Sequence, residues 1–147
     1  MAVQPIPDGY PTVTPYLVVE GAGECLEFIR EVFGGEEKMR MEGGDGRVGH
    51  AEMRIGDSLV MVADAGGENS PQTAMLHLYV EDCEATFRRA LDAGATAVRE
   101  PTDQFYGDRS ASVRDKFGNS WFMATHVEDV APEEMERRAR EWAEQTA

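Results

Sequence analysis

Two stretches of the chain alternate apolar and polar residues with a period of two, which is typical of a β-strand with one buried face. These stretches are residues 12–19 and residues 74–80. Each is followed by a segment whose apolar residues recur at helical spacing and which ends at glycine, Gly34 in the first case and Gly94 in the second. The pattern predicts two strand–helix pairs, the second with Asp82 as its N-cap.

The chain also resembles itself at a spacing of about sixty residues. The sequence LVVE at residues 17–20 matches LYVE at residues 78–81, an offset of 61 (17 to 78). Further on, GDSLVMVAD at residues 56–64 matches GNSWFMATH at residues 118–126, an offset of 62 (56 to 118). Matches in the same order at nearly one spacing indicate a duplicated unit.

Each copy of this unit is predicted to contain a strand, a helix and then three strands. We therefore predict an α+β fold built of two tandem βαβββ modules, residues 10–64 and 74–126, within one domain over residues 1–130. A further helix is predicted over residues 131–147, because Pro132 and the acidic residues after it are typical of a helix start. The apolar stripe of this helix predicts either docking on the core or contact in a dimer.

One helix can cover only one face of each predicted sheet. The other face carries polar and aromatic side chains, among them Tyr16 in the first module and His77 and Tyr79 in the second. Paired modules would turn these faces toward a shared concavity, and pockets form preferentially at such interfaces. We therefore expect a small-molecule ligand in a cleft between the modules.

Composition and charge narrow the range of partners. The 147 residues include 28 Asp and Glu against 14 Lys and Arg, a net charge of −14. This charge would repel a phosphate backbone or an anionic membrane surface, so neither nucleic acid nor a membrane is an expected partner. No apolar run approaches the roughly 20 residues of a membrane span, and residues 1–15 lack the features of a secretory signal. Cys25 and Cys83 lie in the two helical patterns, so a reduced, cytoplasmic protein without disulfides is predicted.

Four separated motifs resemble the vicinal oxygen chelate superfamily, the glyoxalase, bleomycin resistance and dioxygenase group, and specifically its PhnB-like members. They are TVTPYLVVEG, GHAEMRIGDSLVMVAD, FYGDRSASVRDKFGNSW and the closing ATH, and the resemblance covers about residues 10–130. It implies two βαβββ modules that form a U-shaped barrel around a cleft, commonly as a homodimer. The group includes metal-dependent lyases, isomerases and dioxygenases as well as metal-free proteins that only sequester a drug.

The resemblance also implies where a metal would bind. In metal-using relatives the ligands are His, Gln or Glu, taken from the first and fourth strands of each module. In this chain the corresponding positions are Thr14 and Met75 on the first strands of the two modules and Phe122 on the last strand of the second module. On the last strand of the first module the position is Val60 or Met61. None of these side chains supplies an imidazole nitrogen or a carboxylate, so we expect no metal cofactor at the family positions.

A displaced metal site is the alternative. His50 and Glu52 share one face of a strand, with α-carbons about 6.7 Å apart, His77 lies on a predicted cleft strand, and His126 ends the last strand. Together they could hold Zn, Ni, Mn or Fe. His50 and Glu52 also have the composition of a general base and its orienting partner. If these residues have a structural role instead, His50 and Glu52 would hydrogen-bond each other or Arg54, and His126 would be a surface residue.

The candidate ligand-binding residues are aromatic or basic and lie on predicted strands or on the loop at residues 103–109. They are Tyr16, His77, Tyr79, Tyr106, Arg114 and Phe122. The loop could close over a ligand or form a well-packed crossover, and Phe122 could equally belong to the core. Arg54 and Arg114 occupy roughly matching positions, where they could bind a carboxylate or pair with Glu52 and Asp115.

The sequence thus favours a metal-independent small-molecule binding protein of the bleomycin-resistance type. The alternative function is a divalent-metal-dependent lyase, isomerase or dioxygenase of the glyoxalase type, which would use the shifted His/Glu site to polarise vicinal oxygens. A third possibility is an interaction module whose C-terminal helix binds a partner.

Overall fold

The computed structural model describes residues 2–147 and shows an α+β protein with two four-stranded mixed sheets and three helices. The chain divides into two compact units, the first ending at Ala74 and the second running from Met75 to Ala147. We call them unit 1 and unit 2. No helix within residues 2–147 combines the length and the apolar character that crossing a membrane requires.

Unit 1 contains one helix and one sheet. Its elements are β1 (Tyr16–Val19), α1 (Ala22–Phe33), β2 (Glu36–Glu42), β3 (Val48–Ile55) and β4 (Ser58–Asp64). The strand order is β1-β4-β3-β2, in which β1 runs parallel to β4 and the other pairs are antiparallel. This is the predicted βαβββ arrangement, with the helix connecting the edge strand β1 to the opposite edge of the sheet.

Unit 2 repeats the arrangement and adds a terminal helix. Its elements are β5 (Met75–Tyr79), α2 (Cys83–Asp92), β6 (Thr96–Asp103), β7 (Asp108–Arg114), β8 (Ser120–His126) and α3 (Pro132–Thr146). The strand order is β5-β8-β7-β6, again with the first pair parallel and the others antiparallel. The shared order confirms the duplicated fold predicted from the internal repeat.

The first strand is shorter than its alternating pattern predicts. Residues 12–15 precede β1, which begins at Tyr16. The physical reason is Pro15, which has no backbone N–H to donate to a neighbouring strand. Its carbonyl still accepts a hydrogen bond from the Met61 N–H at 2.9 Å, so ladder pairing begins on the acceptor side only.

The helices begin and end at the residues that local chemistry favours. Gly34 ends α1 with a left-handed φ of 67°, and its N–H bonds back to the helix. Asp82 caps α2, where its side chain accepts from the Ala85 N–H. Leu91 is a correction to the predicted apolar stripe of α2, because it is 36% exposed, whereas Phe87 on the same helix is buried.

Each sheet buries one face against its helix. In unit 1 Leu17, Ala51 and Val62 are aligned across three strands and none of them is exposed. In unit 2 Trp121 and Met123 hold the corresponding places and are equally buried. We call the opposite surface of each sheet its helix-free face.

Helix α3 docks on unit 2 without entering the core. No residue of α3 is buried, and Trp142 is 53% exposed. Its indole lies 5.7 Å from the ring of Phe105, while Arg138 donates to the Phe105 carbonyl and pairs with Glu128. The stripe of α3 therefore contacts the loop between β6 and β7 of its own unit.

A buried carboxylate organises the turn between β7 and β8. Asp115 Oδ1 accepts the backbone N–H groups of Phe117 and Asn119 at 2.8 and 2.9 Å. Its Oδ2 accepts the Trp121 indole N–H at 2.8 Å and the Asn119 amide at 3.0 Å. Asp115, Asn119 and Trp121 are all buried, so this one side chain satisfies donors that water cannot reach.

Asp115→Ala is expected to lower the free energy of unfolding by about 3–5 kcal/mol, because it leaves several buried donors without an acceptor. Urea denaturation followed by tryptophan fluorescence measures the change. The matched control is Asp57→Ala in the β3–β4 turn, since Asp57 is exposed and accepts the neighbouring Ser58 hydroxyl; the loss of stability should stay within about 0.5 kcal/mol. Equal costs for the two variants would contradict the assigned role.

Candidate functional site

The helix-free face of unit 1 is defined by the strand register. Met61 on β4 pairs with Tyr16 on β1 and with Glu52 on β3, so these three side chains point to one face. Val60, one residue earlier, pairs with buried Met53 and lies on the helix side. Of the two alternatives that the sequence left open, Met61 is therefore the residue on the helix-free face.

Three side chains on this face form a continuous hydrogen-bonded chain. The Tyr16 hydroxyl lies 2.8 Å from His50 Nδ1, and His50 Nε2 lies 2.8 Å from Glu52 Oε2. Because an ionised carboxylate can only accept, Nε2 carries the proton that faces Glu52. In the neutral imidazole Nδ1 then accepts the Tyr16 O–H. Of the candidate residues, the structure brings Tyr16, His50 and Glu52 together.

Tyr10 completes this network, and sequence reasoning missed it. Its hydroxyl donates to Glu52 Oε1 at 2.5 Å, and the ammonium of Lys38 lies 3.7 Å from the centre of its ring. Tyr10 precedes β1 and belongs to no periodic pattern. The Asp8-Gly9 turn before it is the one local signal, since Gly9 has a left-handed φ of 82°.

The network sets the charge states of its members. Glu52 is only 4% exposed, yet its pKa is lowered, first by the hydrogen bond from Tyr10 and then by the one from His50. The pKa of Tyr16 is raised by desolvation and by the nearby Glu52 charge. The site therefore holds an ionised carboxylate at its buried end and a protonated phenol at its half-exposed end.

The helix-free face of unit 2 is built on the same register with different side chains. Phe122 on β8 pairs with His77 on β5 and with Ser112 on β7, as Met61 pairs with Tyr16 and Glu52 in unit 1. His77 is exposed and its ring lies 5.2 Å from that of Tyr79. Ser112 is buried, and within residues 2–147 its hydroxyl is the one buried side-chain oxygen with no hydrogen-bond partner.

A second carboxylate cluster lies at one end of this face. Asp108, which is 4% exposed, accepts the Tyr79 hydroxyl at 2.9 Å and bonds His126 Nδ1 at 2.8 Å. The other ring nitrogen of His126 bonds Asp129 at 2.7 Å. These carboxylates raise the pKa of His126, Asp108 contributing more than Asp129, and Asp108 also raises the pKa of Tyr79.

The loop at residues 103–109 takes the packed alternative. Gly107 accepts hydrogen bonds from the N–H groups of Val127 and Glu128, and its own N–H bonds Gln104. A Cβ at Gly107 would lie 2.2 Å from the Glu128 carbonyl, so only glycine fits there. Tyr106 stacks edge-on against Phe105 with ring centroids 5.3 Å apart, and its phenol adds a smaller contribution to the raised pKa of Tyr79.

Arg54 and Arg114 hold equivalent positions, since Arg54 pairs with Leu59 on β4 and Arg114 with Ser120 on β8. Within the described residues neither makes an ion pair. The acids suggested as their partners are engaged elsewhere, Glu52 with Tyr10 and His50 and Asp115 with its turn. That pairing alternative is therefore wrong, and both guanidinium groups remain available to an anionic group.

Comparison with known proteins agrees with this architecture. A sequence model of the Glyoxalase/Bleomycin resistance protein/Dioxygenase superfamily matches residues 11–123. The chain belongs to this superfamily. The uncharacterized protein Rv0887c of Mycobacterium tuberculosis is 36% identical over 137 residues, covering 86% of this chain and 81% of its own length.

Solved structures of low sequence identity show the same fold. TioX from Micromonospora sp. ML1 has a TM-score of 0.67 at 24% identity, covering 80% of this chain and 99% of its own. The PhnB protein from Bacillus cereus has a TM-score of 0.63 at 19% identity, covering 78% of this chain and 99% of its own. The glyoxalase/bleomycin resistance fold is thereby confirmed, and a PhnB protein is among the chains that share it.

The residues at the superfamily's metal positions do not fit a divalent ion. Thr14 precedes β1, Met75 is 70% exposed at the start of β5, and Met61 and Phe122 occupy the fourth strands. A hydroxyl, two thioethers and a phenyl ring are poor ligands for such an ion, which prefers imidazole and carboxylate. Within residues 2–147 no three His, Cys, Asp or Glu side chains are grouped to hold a metal.

Tyr10→Phe removes the largest cause of the lowered Glu52 pKa, so that pKa is expected to rise. A carboxyl whose folded pKa is lowered stabilises the protein above its usual value of 4.5 and loses that contribution as the pH falls through the folded pKa. Urea denaturation should therefore show that the variant is about 1–2 kcal/mol less stable than the wild type at neutral pH. In acid the difference in free energy of unfolding between the two proteins should be smaller. Tyr106→Phe is the matched control, and a gap that does not change with pH would contradict the assignment.

Asp108→Asn is expected to lower the pKa of His126 toward its usual value of 6.5, because the main hydrogen bond to the charged imidazole is weakened. In the wild type this raised pKa stabilises the protein below pH 6.5, and the contribution is lost as the pH rises through the folded pKa. NMR titration of the His126 ring measures the pKa in the wild type and in the variant. Asp103→Asn, which alters an exposed partner of Arg109, should leave the titration unchanged. A wild-type His126 pKa at or below 6.5 would contradict the role assigned to Asp108 and Asp129.

Proposed function

We propose that this protein binds a small, largely apolar molecule on the helix-free faces of its two sheets, without a metal at the superfamily's usual positions. The observation that carries this proposal is the matched pair of positions Tyr16–Met61 in unit 1 and His77–Phe122 in unit 2. Met61 and Phe122 are two of the positions where metal-using relatives are expected to hold ligating groups, and there this chain presents thioether and aromatic surface instead. Such side chains bury apolar ligands and orient them with a few polar groups.

Charge suggests which molecules would enter. The net charge of −14 favours a neutral or cationic ligand over a strong anion. At the face of unit 1, the Tyr16 hydroxyl donates to His50 and keeps its lone pairs for a ligand N–H or O–H. This supports sequestration of a drug-like molecule, the bleomycin-resistance type of activity. The homodimer that the family resemblance implies and the cytoplasmic location that the two cysteines suggest both stay predictions.

A second candidate function is proton transfer, favoured by the 2.8 Å contact between His50 Nε2 and Glu52 Oε2. Glu52 orients His50, and His50 in turn bonds the half-exposed Tyr16, so a proton could pass between the ligand and the imidazole through the phenol. In this alternative the protein is a lyase or isomerase. Its metal-dependent form with His50, Glu52, His77 and His126 would have to release His126 from both of its aspartates.

The binding proposal predicts that a ligand found by thermal-shift screening raises Tm equally with and without a chelator. Tyr16→Ala and Phe122→Ala should each remove most of that rise in Tm, because each variant removes aromatic surface that would contact the ligand on one unit. Leu91→Ala, on an exposed position of α2, is the control and should preserve it. Elemental analysis of the same preparation separates the alternatives. A rise that is abolished by chelator, together with stoichiometric metal, would replace this proposal by the metal-dependent one.

A further inference from the structure

Residues 2–11, which precede β1, contact the sheet of unit 1 through the side chain of Tyr10. Residues 2–9 are exposed, with Val3 at 93% and Ile6 at 48%. The Tyr10 N–H bonds back to the Pro7 carbonyl, and the chain turns at Gly9, directly before Tyr10 reaches the sheet. We call residues 2–11 the strap.

The contacts that Tyr10 makes are those of a bound ligand. Its hydroxyl donates to the buried carboxylate of Glu52 on β3, and its ring lies under the ammonium of Lys38 on β2. Both partners are side chains of the sheet. The strap contributes the phenol ring of Tyr10 to this contact, and the turn at Gly9 positions that ring.

The buried carboxylate of Glu52 needs a hydrogen-bond donor at each of its oxygens. Its carboxylate is almost completely buried, and one of its oxygens is already bonded by His50. The other oxygen would lose its hydrogen bond if Tyr10 left, and an unpaired buried charge is costly. Any molecule that displaces Tyr10 must therefore bring its own hydrogen-bond donor to Glu52 Oε1.

We infer that the helix-free face of unit 1 contains a binding site for phenols, and that Tyr10 is its displaceable internal occupant. A phenol supplies the O–H donor that an ionised carboxylate requires and an electron-rich ring that attracts the Lys38 ammonium. A carboxylate ligand would be repelled by Glu52, and benzene would lack the donor. This inference deepens the proposed binding function by naming a ligand class, and it connects ligand binding to the Tyr16–His50–Glu52 chain through Glu52.

Phenol itself is the probe, because it is the part of Tyr10 that Tyr10→Ala removes. We expect phenol to bind Tyr10→Ala at least about tenfold more tightly than it binds Tyr10→Phe, whose ring still fills the site. Phenol should also bind Tyr10→Ala about tenfold or more tightly than benzene does, since the difference reports a hydrogen bond to a charged acceptor. Amide NMR titration locates the effect, which should center on residues 38 and 50–54.

Two further variants test the named partners. In the Tyr10→Ala background, Glu52→Gln should reduce the preference for phenol over benzene about fivefold or more, because the acceptor loses its charge. Lys38→Met should weaken the binding of both aromatic probes, because the cation above the ring is removed. In the wild type, excess phenol should release the strap, which NMR order parameters of residues 2–11 below about 0.6 would show.

Equal binding of phenol and benzene to Tyr10→Ala, or equal phenol binding to the Ala and Phe variants, would overturn the inference. If Tyr10→Ala does not fold, the release of the strap in the wild type decides alone, and a strap that stays ordered in excess phenol is then the negative result. The proposed function fails separately, because it depends on screened ligands that lose their effect in Tyr16→Ala and Phe122→Ala. Neither of those residues is needed for phenol to occupy the place of Tyr10.

Discussion

Each four-stranded sheet packs a single helix against one of its faces, and this arrangement determines where polar side chains can form networks. The face under the helix is filled by side chains such as Leu17, Val62 and Trp121, which are completely buried. The other face has no helix, so its polar side chains must satisfy one another. The networks around the buried carboxylates of Glu52 and Asp108 both lie on these helix-free faces, where chemistry or binding can use them.

The two units reach similar solutions at different positions. Unit 1 buries Glu52, which bonds one tyrosine and one histidine, and unit 2 buries Asp108, which also bonds one tyrosine and one histidine. The strand register shows that the counterpart of Glu52 is Ser112, whose hydroxyl has no hydrogen-bond partner among residues 2–147. Burying a carboxylate is costly unless it is paired and hydrogen-bonded, and each cluster meets that condition with two neighbours. The duplication thus preserved the architecture while the polar networks of the two halves diverged.

Much of the fold could be predicted from the sequence because its signals are local. Alternation with period two located the cores of β1 and β5, and glycine marked the end of α1. The errors also have local causes: Pro15 delays β1, and Leu91 lies at the edge of a stripe that is too narrow to bury it. For the candidate site, parity placed His50 and Glu52 on one face, and the prediction that they could bond each other is confirmed.

The sequence by itself determined the duplicated βαβββ topology and the shared face of His50 and Glu52, because these follow from periodicity and from order along the chain. Its motifs carried the resemblance to the superfamily, whereas the face of Phe122 was fixed only by its pairing with His77 and Ser112. Only the tertiary structure decided that Met61 rather than Val60 faces Tyr16, since a register is a relation between two strands. The tertiary structure also decided that Tyr10 caps Glu52 from 42 residues away. No pattern encodes such a contact, because it depends on where a non-periodic segment is carried by the turn at Gly9 once the sheet has formed.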